Sequence, residues 1–182
     1  MSPVWFANTQ RNRRADSRLF CFPYAGGSSV VYHNWVKSLP EFVDVIPVQL
    51  PGRGMRLNTA PLTRMDGLTE QLSPVLAEFL DRPFFFFGHS MGALIAFELA
   101  HALRMRCGVE PEALFVSGRR PPSVPERETG IHRLPKDQFV AHVRLLNGTH
   151  PDLRKTKRFS NCFCRSCVPI SNSSRPILSG TA

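Results

Sequence analysis

The sequence predicts an α/β fold built on a mainly parallel sheet with helices on both faces. Three observations predict it. Short β-rich runs alternate with segments of helical period, the pattern of successive βα units. Glycine and proline punctuate the ends of the strand-like runs. Four consecutive phenylalanines, Phe84 to Phe87, lead directly into Gly88-His89-Ser90-Met91-Gly92 and then into a helix-like stretch.

Each element follows from its local pattern. Leu19 to Phe22 is an apolar run closed by Pro23 and then Gly26-Gly27, which predicts a short buried strand from about Arg18 entering a loop. Val43 to Leu50 (VDVIPVQL) is a second β-rich run, stopped by Pro51-Gly52-Arg53-Gly54. Pro47 inside it points to an edge or a bend, since proline cannot donate to a ladder. Asp66 to Leu80 carries Leu68, Leu72, Val75, Leu76, Phe79 and Leu80, a helical spacing that Pro74 is expected to kink. The phenylalanine run suits a central strand covered on both faces. Met91 to Met105 reads as a helix with Gly108 as its stop. Ala93, Ala96 and Ala100 are small enough to let that helix lie close on a sheet. Ala113 to Ser117 (ALFVS) is predicted as the next buried strand.

Organisation changes after that point. Residues 1–17 are expected to be a flexible N-terminal segment and 18–118 the sheet core. Residues 119–153 are Pro-rich, with a short amphipathic helix around Lys136 to Leu146, and suit a lid. Residues 154–182 form a tail without periodicity, expected to be disordered. All 14 acidic residues lie at or before Asp152, whereas the tail holds Arg154, Lys155, Lys157, Arg158, Arg165 and Arg175. Much of the formal charge of +9 therefore belongs to the tail, and it lacks the aromatic interleaving of a nucleic-acid platform. No apolar run is long enough to cross a bilayer. No apolar segment follows the N-terminal arginines, so no signal peptide is expected. Five cysteines, an odd number, point to reduced thiols in the cytoplasm. Cys162, Cys164 and Cys167 lack a second ligand pair at zinc spacing, so no metal site is assigned.

The chemistry is carried by Gly88-His89-Ser90-Met91-Gly92, a G-x-S-x-G motif between a strand and a helix. That turn exposes the serine hydroxyl at a helix N-terminus, where backbone N–H groups stabilise an oxyanion. Ser90 is the candidate nucleophile. Met91 N–H is one candidate oxyanion donor, and Ala25 N–H, in the loop after the first strand, is the other. His89 is expected to point away from the nucleophile and take a local contact. His150 lacks the strand–loop context of a catalytic base. Arg53, Arg119 and Arg120 read as loop charges, with contact to an anionic partner as the sharper alternative.

Five ordered motifs carry a family resemblance: FPYAGG (22–27), QLPGRG (49–54), GHSMG (88–92), SGRRPP (117–122) and LNGTHP (146–151). Over about Leu19 to Leu153 the chain resembles the type II thioesterases of polyketide and nonribosomal-peptide assembly lines, which are α/β-hydrolases. The resemblance implies hydrolysis of acyl or aminoacyl thioesters on the phosphopantetheine of an acyl or peptidyl carrier protein. It implies no cofactor of the enzyme's own, no membrane and no nucleic-acid partner. Commonly acidic carrier proteins would give Arg53, Arg119 and Arg120 a role. The alternatives are a non-catalytic carrier-binding fragment and a general serine esterase of the same fold.

The departure from the family lies at the end. Members continue through further strands that supply an Asp and then a Gly-Asp-His, and no Asp or His follows Asp152 here. The C-terminal strands are therefore expected to be missing and the activity doubtful. Phe163 to Ile177, back-translated and read one base earlier, permits LPILRADFELEQAY, which resembles the helical segment that members carry just after HPDL. The tail is thus expected to be a frameshifted reading with the slip near residue 154. A natural isoform with a basic tail is the alternative, and the DNA over codons 150–165 decides between them.

Overall fold

The computed structural model describes residues 5–7, 12, 14–121, 124, 134–135, 137–138 and 141–142. The lid-like stretch after residue 121, its expected helix at 136–146, His150 and the whole of 154–182 lie outside the described residues, apart from those few positions.

Strand β1 (Ser17–Phe22) is followed by a 3-10 turn (Ser29–Tyr32) and the short helix α1 (His33–Ser38). Next come β2 (Val43–Pro47), a second 3-10 turn (Gly54–Arg56) and α2 (Met65–Ala77). The chain continues through β3 (Phe84–His89), α3 (Met91–Cys107) and β4 (Ala113–Ser117). The four strands form one sheet in the order β2-β1-β3-β4, and all three pairings are parallel. Parallel strands need crossover connections, and the helices supply them on the two faces.

Period-two alternation splits the strands between those faces. Phe20 and Phe22 of β1 and Phe84 and Phe86 of β3 point to one side, where they pack with Leu68, Leu72 and Leu76 of α2 and Ile95, Ala96, Leu99 and Leu103 of α3. Cys21 and Val45 point to the other, beneath Tyr32 and Trp35. Burial pushes the Cys21 thiol up to about 12. Helix α2 runs through Pro74 without ending there. Gly108 closes α3 in the left-handed conformation, and Ala93 and Ala96 are buried on its sheet side.

Three expectations need correction. Trp5 and Phe6, within the segment expected to be flexible, are buried in the main core. Phe6 forms an antiparallel bridge with Val48, and Gln49 N–H donates to the Trp5 carbonyl at 2.7 Å. This segment extends pairing beyond the point where Pro47 ends β2. Strand β3 is fully covered on one face only, because Phe85 and Phe87 are half-buried. Strand β4 is not buried: Phe115 is 51% and Val116 58% exposed. It stands at the edge of the described sheet, and among the described residues Phe115 meets the Phe85 ring.

One ionic cluster locks the sheet's entry side. Arg18 is buried and Asp44, on the neighbouring strand, is buried 3.8 Å from it. Arg18 also donates to Asp81 and to the Phe79 carbonyl just before β3. Removing one partner of a buried pair is severe, because the other charge stays behind. Arg18→Ala is expected to cost about 3–5 kcal/mol in urea unfolding. The Arg18 hydrogen bond holds the Asp81 carboxyl down at about 2. Its contribution is present above about pH 4, the unfolded carboxylate value, and is lost as pH falls through about 2. Unfolding midpoints measured across that window should fall more steeply for the wild type than for Asp81→Asn.

Candidate active site

The sheet delivers Ser90 to the C-terminal ends of its strands. Strand β3 ends at His89, α3 begins at Met91, and Ser90 alone makes the turn with φ 54° and ψ −112°. It is the one non-glycine with positive φ among the described residues. Such a conformation costs about 1–3 kcal/mol and persists only where the surroundings impose it. Here the surroundings are specific. Ser90 N–H donates 2.8 Å to the Ser117 carbonyl at the end of β4, and Ala93 N–H donates 3.1 Å to the Ser90 carbonyl.

Both flanking glycines are sterically required. A Cβ on Gly88 would stand 2.2 Å from the Gly92 carbonyl oxygen. A Cβ on Gly92 would stand 2.0 Å from the Phe22 carbonyl oxygen and 3.0 Å from that of Pro23. The first turn of α3 therefore lies directly against the end of β1. This brings Met91 N–H beside the loop that carries Ala25. That loop turns over Tyr24 to Gly27, where Gly27 N–H donates 3.0 Å to the Tyr24 carbonyl and Gly26 takes φ 80°. Met91, as the first helical residue, has no intrahelical acceptor for its N–H. The two candidate donors thus sit on adjoining segments beside the half-exposed Ser90.

His89 lies exposed at the end of β3. Its Nδ1 is 3.1 Å from Ser117 Oγ, and its ring meets Tyr24 edge-on with centroids 5.9 Å apart. It braces the turn and does not address the serine. Among the described residues no side chain is hydrogen-bonded to Ser90 Oγ. No group of His, Cys, Asp and Glu among them is placed to hold a metal.

The arginines divide. Arg119 and Arg120 are exposed just beyond β4. Arg53, expected as a loop charge open to a partner, is only 4% exposed, because the PGRG turn folds it inward. Its carbonyl accepts from Gln49 Nε2 at 2.6 Å, while Gln49 Oε1 accepts from Ser29 Oγ. The surface role for Arg53 is withdrawn. The sequence reading missed Gln49 and Tyr32. Gln49 stood inside a quoted motif, but Tyr32, whose hydroxyl donates 2.7 Å to the Phe22 carbonyl, gave no pattern to read.

A serine raised on a strand-to-helix turn, at the C-terminal edge of a parallel sheet with helices on both faces, is the arrangement of the α/β-hydrolase fold. The match to a family model narrows this: residues 17–167 match the thioesterase domain, and the chain belongs to that family. The match runs past the change of composition near residue 153. The chain is 43% identical over 145 residues to the gramicidin S biosynthesis protein GrsT of Aneurinibacillus migulanus, covering 80% of this chain and 57% of that protein. It is 43% identical over 149 residues to a Brevibacillus parabrevis protein named linear gramicidin dehydrogenase LgrE, covering 82% and 57%. Among solved structures, the type II thioesterase BorB from the borrelidin biosynthetic cluster superposes with a TM-score of 0.77 at 36% identity, covering 97% of this chain and 74% of BorB. The chain spans 57% of the length of these two curated relatives.

The strain at Ser90 gives opposite expectations for two small substitutions. Ser90→Gly relieves the positive φ and should raise stability by about 1 kcal/mol net of glycine's greater freedom when unfolded. Gly92→Ala should lower it, by at least about 1–3 kcal/mol, since helix and strand end must move apart. Urea midpoints of the two variants against wild type check both signs.

Proposed function

We propose that Ser90 is the nucleophile for hydrolysis of acyl or aminoacyl thioesters carried on the phosphopantetheine arm of a carrier protein. The reaction would clear blocked arms in polyketide or nonribosomal-peptide synthesis. The observation that carries this is the backbone of Ser90, forced to φ 54° between two glycines that admit no Cβ, in a chain of the thioesterase family. Relatives' names alone would not suffice, since one of them points to a dehydrogenase.

The chemistry follows from the geometry. Ser90 Oγ attacks the thioester carbonyl and gives its proton to a base. The carbonyl oxygen becomes an oxyanion facing Ala25 and Met91 N–H, at the positive end of α3. Collapse breaks the C–S bond, and the thiol leaves with a proton. Water then attacks the Ser90 ester, releasing the carboxylic acid and restoring the hydroxyl. No metal or redox group takes part, and the phosphopantetheine belongs to the substrate. The reading puts the protein in the cytoplasm, where Cys21 and Cys107, both free, stay reduced. No described helix is long and apolar enough to cross a membrane.

In the 182 residues no Asp or His follows Asp152, and a serine assayed without a base keeps only the contribution of the oxyanion hole and binding, a drop of roughly 10⁴ or more. Thiol release from acyl-pantetheine substrates should therefore be slow and should vanish in Ser90→Ala. Fast release that survives Ser90→Ala would overturn the assignment. Simple esters assayed alongside separate a thioesterase from a general esterase.

The partner is proposed to be an acidic carrier protein, met by the exposed Arg119 and Arg120. Rim charges of this kind act on association and its salt dependence. Arg119→Ala with Arg120→Ala should weaken capture of a carrier protein at low salt and flatten its salt dependence, as read by biolayer interferometry. This also tests the non-catalytic binding alternative, which needs the arginines but not Ser90.

A further inference from the structure

Tyr32 lies outside every motif of the chain, yet it is buried. Its ring meets those of Trp35 and Phe87 edge-on, with centroids 5.3 Å and 5.9 Å away. Its hydroxyl donates 2.7 Å to the Phe22 carbonyl. A phenylalanine would fill the same space, and a hydroxyl taken out of water is costly unless it is bonded. The hydroxyl therefore marks the carbonyl as the point of the contact.

That carbonyl is the same atom against which Gly92 packs. It joins the end of β1 to the first turn of α3. The chain leaving it runs through Pro23 and Tyr24 to Ala25. A rotation of the Phe22 peptide would drive its oxygen into or away from Gly92 and swing Ala25 N–H out of line with Met91 N–H. On the other flank, Phe87 belongs to β3, three residues before Ser90. One side chain thus touches the end of the strand that leads to Ala25 and the strand that leads to Ser90.

We propose that Tyr32 is a positioning residue for the oxyanion hole: its hydroxyl fixes the Phe22 peptide and so holds Ala25 N–H in register with Met91 N–H. The proposal rests on the reading of those two groups as oxyanion donors. Burial, with smaller contributions from the charges of ionised Cys21 and Tyr24, raises the Tyr32 phenol well above its ordinary value. It therefore remains a donor through the working pH range.

The direct test is amide hydrogen exchange on the 182-residue chain and on Tyr32→Phe. Exchange over Tyr24 to Gly27 should quicken by about 10-fold or more, while β3 and α3 stay within about two-fold of wild type. Unchanged exchange in the loop overturns the proposal, and so does equal acceleration everywhere, which marks a general packing role. Trp35→Phe disturbs the same ring cluster but keeps the hydroxyl, and should leave the loop at its wild-type rate. Matching acceleration there also overturns the proposal. In Ser90-dependent thiol release, Tyr32→Phe should lower kcat about 10- to 100-fold with KM nearly unchanged. A rise in KM at constant kcat counts against it. Absence of Ser90-dependent release in the wild type would sink the hydrolase reading alone, while loop exchange still decides the role of Tyr32.

Discussion

The first turn of α3 rests on the carbonyl oxygen of Phe22 with no room for a side chain between them. A single methyl group at Gly92 would fall 2.0 Å from that oxygen, so the helix can approach the sheet this closely only through glycine. The rest of the site depends on that contact. It sets the height of α3 over β1 and β3. It brings the N–H of Met91 next to the loop after β1, and it forces the one residue between β3 and α3 into positive φ. Ser90 is strained because two rigid elements meet with one residue left to join them. The strain is held by burial spread across α2, α3 and four strands, which is how a sheet core can sustain a local cost at one turn.

Much of this architecture was legible in the sequence because it rests on local patterns. Phe84 to Phe87, the GHSMG turn and the alanine-lined helix each announce their state within a few residues, and the structure has them as β3, a turn and α3. Pro47 signalled an edge or a bend, and β2 lies at an edge of the described sheet and stops at Pro47, short of Leu50. What failed was burial, which depends on distant partners. ALFVS has the composition of a buried strand, but β4 stands at the edge of the described sheet. Trp5 and Phe6 lie beside a polar, arginine-rich stretch and read as part of a tail, yet they are seated on the core by pairing with Val48 and Gln49. Arg53 shows the reverse error: charge suggested exposure, while the turn that contains it folds inward. For the site, the Ser90 turn and its two glycines were readable from spacing. The Tyr32 and Gln49 contacts were not, because a hydroxyl or an amide aimed at a backbone oxygen leaves no periodic trace.

Charge in this molecule also sorts by depth. The buried Arg18 and Asp44 tie β1 to β2 at the start of both strands, and the exposed Asp81 adds a link to the turn before β3. They lie at the opposite end of β1 from Ser90, so the sheet is pinned electrostatically at one end and by steric contact at the other. Beside the serine, polarity comes from backbone N–H groups and the end of a helix, which need no counter-ion and do not move when charge develops.

The Cys21 thiol, sealed under Tyr32 in the second core and pushed up to about 12, gives the molecule an internal gauge. A thiol in that state is both unreachable and almost wholly protonated at neutral pH, so alkylating reagents meet it only after the cover of Tyr32 and Trp35 lifts from the sheet. Cys107, exposed at the end of α3, reacts without any such opening. The same chain thus carries a reference thiol and a reporter thiol. The interval between their modification times measures how often the segment of Tyr32 and Trp35 comes away from the sheet.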